Sequence, residues 1–265
     1  MARRALAKRG AARHIEAMSE HRVSPPDTDL RPGPGFSHVD SWIFDLDNTL
    51  YPPSCDLFAQ VDQKMTAFIG RYLDVDAVEA RRIQKDFYIE HGTTLSGLMK
   101  VHGLAPEAFL QFVHDIDVSA VAPDAEMGAA IERLPGRKLI FTNGSVAHAE
   151  NVVRRLGIEH VFDGIYDIVT ARYEPKPRRA AYERLIEASG IEPARAAMFE
   201  DIARNLEVPH VLGMTTVWVR PGAPGPERHQ QISHEGADGA HVHHVTDDLR
   251  RFLAALSPST SAAAE

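Results

Sequence analysis

Cysteine is almost absent: Cys55 is the one thiol in 265 residues. An intrachain disulfide is therefore impossible, which fits a reducing compartment, and the chain reads as cytoplasmic. No base accompanies Cys55 in the pattern of an activated thiol, so it reads as incidental. No stretch approaches the roughly 18 apolar residues of a membrane-spanning helix. An excess of positive charge is missing too, with 29 Lys and Arg against 37 Asp and Glu, a net charge of −8. This balance argues against a nucleic-acid polymer or an anionic membrane as partner. It leaves room for a small phosphorylated ligand, because a bound cation reverses the field inside a site.

What is present is ordinary for a globular chain: 44% hydrophobic and 25% charged residues, enough for one main domain with an insertion. Residues 1–37 hold seven Lys/Arg against four Asp/Glu, and Arg3, Arg4, Lys8, Arg9 and Arg13 sit among alanines. No apolar stretch follows them as a secretory or twin-arginine leader requires. This part reads as a flexible basic segment running into the Pro/Gly linker Ser24–Gly35. The Ser/Ala-rich tail 258–265 reads as disordered.

The organising stretch is Trp42–Tyr51, an apolar run that delivers Asp45 and Asp47 into a turn closed by Pro52 and Pro53. Residues two apart on a strand share a face, so the two carboxylates are expected to converge where the strand ends. Adjacent anions require a cation, and hard oxygen ligands suit Mg²⁺. Residues 55–120 then read as four helices: Leu57–Tyr72, Ala77–Glu90 stopping at Gly92, Leu95–His102, and one starting at Pro106.

From Val121 the pattern alternates between helices and short apolar strands. Strands are expected at Lys138–Thr142, Gly164–Val169, Ala196–Phe199, Thr215–Val219 and His241–Val245. Helices are expected at 125–134, Val146–Leu156, Arg178–Ser189 and Thr246–Leu256. The fold class is thus α/β, a Rossmann-like three-layer core with a mainly parallel sheet and right-handed crossovers. The core comprises 38–54 and 121–257, with a small helical domain, 55–120, inserted after the first strand.

Ligands of such sheets bind beyond the strands' carboxyl ends. Three strands here end in polar groups: Asp45/Asp47, Thr142-Asn143-Gly144-Ser145 and Glu200/Asp201. The Thr142 hydroxyl and the Asn143 and Gly144 amides lie at a helix start, where anions are favoured. Lys176, between Pro175 and Pro177, is held in a stiff loop ready to meet an anion. Together these residues specify phosphoryl transfer through an aspartyl-phosphate. Asp45 is the nucleophile and Asp47 the general acid and base. Mg²⁺ is held by Asp45, the Asp47 carbonyl and Asp201. Thr142, the neighbouring amides and Lys176 bind the phosphate oxygens.

Phe44-Asp-Leu-Asp-Asn-Thr-Leu50, Thr142, Lys176 and Glu200-Asp201 resemble, in order, motifs I to IV of the haloacid dehalogenase superfamily over about residues 39–256. The resemblance implies that the insertion is a C1-type cap. Family members with an aspartate at the Asp47 position are generally phosphatases or phosphomutases, which disfavours halide chemistry. Asn205 stands where many members carry another acid, and Glu200 and Asn205 are expected behind the metal ligands. Tyr51-Pro52-Pro53 and the cap stretch His91-Gly92-Thr93-Thr94-Leu95-Ser96-Gly97-Leu98-Met99 resemble the pyrimidine 5′-nucleotidase group. This implies UMP or CMP as substrate, with His91, Gly92, Thr93 and Thr94 facing it; a cap for the third helix is the other reading of Thr94. Phosphoglycolate or a sugar phosphate is the alternative substrate. A phosphomutase and a non-catalytic binding protein rank behind. His241, His243 and His244, with His229 and His234 nearby, read as a surface or partly packed cluster, and Arg154/Arg155 and Arg178/Arg179 as solvated helix faces.

Overall fold

Ser41–Phe44 forms the central strand β1 in the computed structural model, which describes residues 35–222 and 232–256. The expectations for residues 1–34, His229 and the tail lie outside those residues. Strands β2 (Arg137–Phe141), β3 (Gly164–Tyr166), β4 (Ala196–Glu200), β5 (Thr215–Val219) and β6 (His244–Thr246) complete a six-stranded sheet of order β3-β2-β1-β4-β5-β6. Every pairing is parallel. β1, β4 and β5 are buried throughout, as a parallel sheet covered on both faces demands.

Alternate residues feed two cores. Trp42, Phe44, Ile140, Phe199 and Val217 pack against α5 (Ala125–Glu132), α6 (Val146–Leu156) and α9 (Leu249–Leu256). Ile43, Leu139, Phe141, Met198 and Trp218 pack on the other face against Ala181, Tyr182 and Leu185 of α7 (Arg179–Ser189) and against Leu206, which precedes α8 (Glu207–Val211). Successive connections run from β1 outward on one side and from β4 outward on the other. The topological switch point therefore lies between β1 and β4.

Between β1 and α5 the chain forms α1 (Leu57–Leu73), α2 (Ala77–His91), α3 (Thr94–His102) and α4 (Pro106–Val113). Their apolar stripes meet in a separate core containing Val61, Ile69, Leu98, Phe109 and Val113. Asp76 caps α2 by accepting from Val78 and Glu79, and Pro106 opens α4.

Two strand expectations need correction. β3 stops at Tyr166, because Asp167 draws the chain into turns by accepting from Thr170 N and Oγ1 (2.9 and 3.0 Å). The last strand starts at His244 rather than His241. His243 Nδ1 accepts from Thr216 N (3.1 Å) and its Nε2 meets His210 Nδ1 (3.0 Å), so side-chain bonds precede the ladder. His244 packs on Phe36, with ring centroids 4.8 Å apart.

Gly136 introduces β2 at φ +79°, and a Cβ there would lie 2.1 Å from Asp40 O. That oxygen receives the Arg137 N–H that starts the β1–β2 register (2.8 Å). Gly136→Ala is expected to destabilise the protein by about 3 kcal/mol in urea unfolding. A loss within experimental error would contradict the close approach.

Candidate active site

The carboxyl ends of β1, β2 and β4 lie side by side, and Asp45, Lys176, Glu200 and Asp201 come together there. Asp45 lies one residue beyond β1, where its N–H still bonds Phe199 O (2.9 Å). Its Oδ1 accepts from Lys176 Nζ (2.6 Å) and its Oδ2 from the Thr49 hydroxyl (3.1 Å). Asn48, in the left-handed region at φ 64°, begins the turn that returns Thr49 to Asp45.

Lys176 is 5% exposed, and its Nζ also reaches Glu200 Oε1 (2.9 Å) and Phe141 O (2.9 Å). The proline flanks are joined by Asn143, whose Oδ1 accepts from Lys176 N (2.8 Å) while its Nδ2 donates to Lys176 O (3.3 Å). The Asn143 side chain thus positions the lysine, a use that the turn's sequence did not suggest. The Gly144 N–H donates to Thr142 Oγ1 (2.9 Å), so this amide, expected to face an anion, is already engaged.

Glu200 is fixed on both oxygens: Oε1 accepts from Lys176 and from Asn205 Nδ2 (2.6 Å), and Oε2 from Ile202 N (3.1 Å). Asp201 follows, its carbonyl accepting from Trp218 Nε1 (2.9 Å). Asp45, Glu200 and Asp201 each bring a carboxylate oxygen within 4.8 Å of the others, all buried. Three hard oxygen donors at that spacing suit a divalent cation such as Mg²⁺.

The electrostatics reflect this crowding. Burial, with the Glu200 charge, pushes Asp45 up to about 7 against the pull of Lys176. Burial and the neighbouring Glu200 and Asp45 raise Asp201 well above the carboxylate range. Burial would raise Glu200 as well, but Lys176 outweighs it and holds Glu200 low. For Lys176, desolvation would favour the neutral amine, and the Asp45 and Glu200 charges reverse that, raising it further.

Asp47, whose charge acts on Asp45, is held on its own set of partners. Its Oδ1 meets His148 Nε2 (2.7 Å) and accepts from the Tyr51 hydroxyl (2.5 Å). Glu200 and Asp201 supply the oxygens that gather with Asp45, and the Asp47 charge adds to the crowding there. Burial would raise Asp47, and His148 and Tyr51 outweigh it, bringing it down to about 2. Burial likewise opposes charge on His148, but Asp47 raises its pKa overall.

His148, His114 and Asp167 went unnoticed in the sequence. His114 stacks on His148 (centroids 4.8 Å, 15° between planes), and its Nδ1 meets Ser145 Oγ (3.0 Å). Burial and the His148 charge lower His114 to about 4. Asp167 Oδ2 accepts from Val146 N (3.1 Å) at the start of α6. The available signal was a histidine on the buried stripe of α6 beside the Thr-Asn-Gly-Ser turn.

The insertion reaches the Lys176 loop through Arg178 Nη2, which donates to His91 O (2.8 Å). Arg178 is therefore a tie between elements rather than a wholly solvated charge. Gly92, at φ +83°, ends α2 and turns the chain there. Thr93, not Thr94, caps α3, accepting from Ser96 N (3.0 Å). Thr94 is buried and donates to Gln84 O (3.1 Å), so its hydroxyl serves the insertion's interior.

Lys176→Met would leave three buried carboxylates without their ammonium. Carboxyls whose folded pKa exceeds the unfolded value bind extra protons when folded, so they stabilise at low pH and that contribution is lost as pH rises. The variant's melting temperature, relative to wild type in metal-free buffer, should therefore fall further at pH 8 than at pH 5.5. A pH-independent difference would contradict this.

The sequence profile of the haloacid dehalogenase-like hydrolases matches residues 39–208. The chain is 29% identical over 219 residues to phosphate metabolism protein 8 of Saccharomyces cerevisiae, a match covering 76% of this chain and 66% of that protein. It also resembles two solved L-2-haloacid dehalogenases. One has a TM-score of 0.51 at 18% identity, covering 81% of this chain and 99% of the other. The second has a TM-score of 0.50 at 18% identity, covering 82% and 98%. At these identities the likeness concerns the fold. With a profile matching well over half of its length, on a parallel sheet whose strand ends bear the matched residues, the chain belongs to the haloacid dehalogenase-like hydrolases.

Proposed function

We propose that this hydrolase is a Mg²⁺-dependent phosphomonoesterase that works through an aspartyl-phosphate on Asp45, with a pyrimidine nucleoside 5′-monophosphate, UMP or CMP, as substrate. The observation that carries the reading is the division of labour between two aspartates. Asp45 lies against the Lys176 ammonium and the Glu200/Asp201 carboxylates, while Asp47 is held on a different set of donors, His148 and Tyr51. The name of the yeast relative, a phosphate metabolism protein, is in keeping with it.

Asp45 and Asp201, with the Asp47 carbonyl, would hold the cation, and Glu200 would support them from behind. When bound, the cation supplies positive charge between the carboxylates and an incoming phosphate. Lys176 and the Thr142 hydroxyl bind the phosphate oxygens. An Asp45 oxygen attacks phosphorus as the ester P–O bond breaks, and Asp47 gives its proton to the departing alkoxide. A phosphate dianion beside Asp47 favours the protonated carboxyl that this step needs. In the second step Asp47 takes a proton from water, whose oxygen attacks phosphorus and releases Asp45. Acid–base help of this kind is worth about 10²–10⁴-fold.

A departing halide needs no proton, so an Asp47 held by two donors favours an ester over a haloacid. The helical insertion, tied by Arg178 to the Lys176 loop, is proposed to act as a cap that excludes water. The Thr93 and Thr94 hydroxyls are used inside the insertion. That observation keeps a second substrate reading, a phosphoglycolate-like or sugar phosphate, beside the nucleotide.

Phosphate release should require Mg²⁺ and be fastest with UMP or CMP in a panel that includes purine nucleotides and sugar phosphates. A strong preference for a non-nucleotide would overturn the nucleotide assignment alone. Asp45→Asn should retain its fold by circular dichroism and fall below about 10⁻³ of wild-type turnover. Substantial residual turnover would exclude Asp45 as nucleophile. Mg²⁺ should raise the melting temperature of the wild type but not of Asp201→Asn; equal shifts would remove Asp201 from the metal site.

A further inference from the structure

A buried histidine on an otherwise apolar helix face carries a burden that packing does not explain. His148 is 2% exposed and shares its stripe on α6 with Ala149, Val152, Val153 and Leu156, where an apolar residue would fit at no polar cost. Its Nε2 meets Asp47 Oδ1 at 2.7 Å, and its Nδ1 has no hydrogen-bond partner among the described residues. The ring is held flat against His114, whose Nδ1 meets the hydroxyl of Ser145, the residue that caps the helix bearing His148. The imidazole is thus locked in orientation, and its one polar contact is a carboxylate 101 residues away in the chain.

The second donor to Asp47 falls on the same oxygen. Tyr51, also buried, gives its hydroxyl to Oδ1 at 2.5 Å. No hydrogen bond to Oδ2 is formed by any described residue. Two donors converging on one oxygen fix the carboxyl plane and leave the other oxygen to act. A carboxyl serving only to bind the loop would more naturally spread its donors over both.

Resting on the phosphomonoesterase reading above, we propose that His148, with Tyr51, is the positioning residue of the general acid: it anchors Asp47 Oδ1 so that Oδ2 is presented to the ester oxygen. In the first half-reaction Oδ2–H gives its proton to that oxygen as the P–O bond to it breaks and the P–O bond to Asp45 forms. In the second, Oδ2 takes the proton from water as the oxygen–phosphorus bond to water forms and the bond to Asp45 breaks. His148 remains in place throughout and touches neither phosphorus nor the leaving group.

Positioning of an acid is visible only where the leaving group needs a proton. Rapid-quench measurement of the first turnover distinguishes this, using 2,4-dinitrophenyl phosphate, whose leaving group departs as the anion, and whichever alkyl monoester the wild type turns over best. His148→Asn should slow the first turnover of the alkyl ester about 10²-fold and that of the aryl ester by less than a tenth of that factor. Tyr51→Phe should shift the ratio in the same sense, and His148→Gln, whose longer side chain can bring an amide N–H to the Nε2 position that Asn does not reach, should recover part of the alkyl rate. Equal slowing of both esters, as a distorted site would give, overturns the inference, as does a His148→Asn enzyme with wild-type rates on both. If the wild type itself forms no phosphoenzyme from either ester, the phosphomonoesterase reading falls and takes this one with it. A wild-type phosphoenzyme with equal slowing removes only the positioning role.

Discussion

Lys176 is the counter-charge on which the strand ends depend. Its ammonium lies 2.6 Å from Asp45 and 2.9 Å from Glu200, with all three groups buried. Desolvating so many charges is unfavourable unless they are paired and hydrogen-bonded. The surroundings meet that demand: Thr49 on Asp45, Asn205 and the Ile202 amide on Glu200, the Phe141 carbonyl on Lys176. The remaining excess is negative, with Asp201 crowded by Glu200 and Asp45, and three hard oxygen donors so placed suit a divalent cation.

The sheet order makes the pairing possible. β1 lies between β2 and β4, so Asp45, Thr142 and Glu200/Asp201 emerge side by side although they are far apart in sequence. Asn143 then fastens the Lys176 backbone to the end of β2 through both of its amide atoms. Rigidity at these points costs the chain some freedom but leaves little reorganisation for the reaction itself.

Much of this was legible in the sequence because it rests on local rules. Apolar runs such as Trp42–Phe44 and Thr215–Val219, and the stripe Leu57–Val61–Ile69, announce their elements by period alone. The polar strand ends could be placed in one crevice from topology. What escaped notice depends on tertiary neighbours: His148 looks like any residue of an amphipathic helix until α6 lies beside Asp47. Asn143 was read for its backbone amide, yet its side chain finds the Lys176 main chain 33 residues on. Thr93 and Thr94 differ by one position, and helix boundaries read from sequence are not that sharp. The start of β6 was missed because the side chains of Thr216 and His243 substitute for ladder bonds before His244.

The central proposal is that Asp45, held by Lys176 and sharing a cation with Asp201, carries a phosphoryl group during turnover. Acid quench of the Mg²⁺-loaded enzyme during steady-state turnover, followed by peptic digestion and mass spectrometry, tests it directly. The account predicts a phosphoryl adduct on the peptide containing Asp45 that disappears when substrate is exhausted. Rapid phosphate release with Asp45 unmodified at every quench time, or an adduct on a different residue, would contradict it.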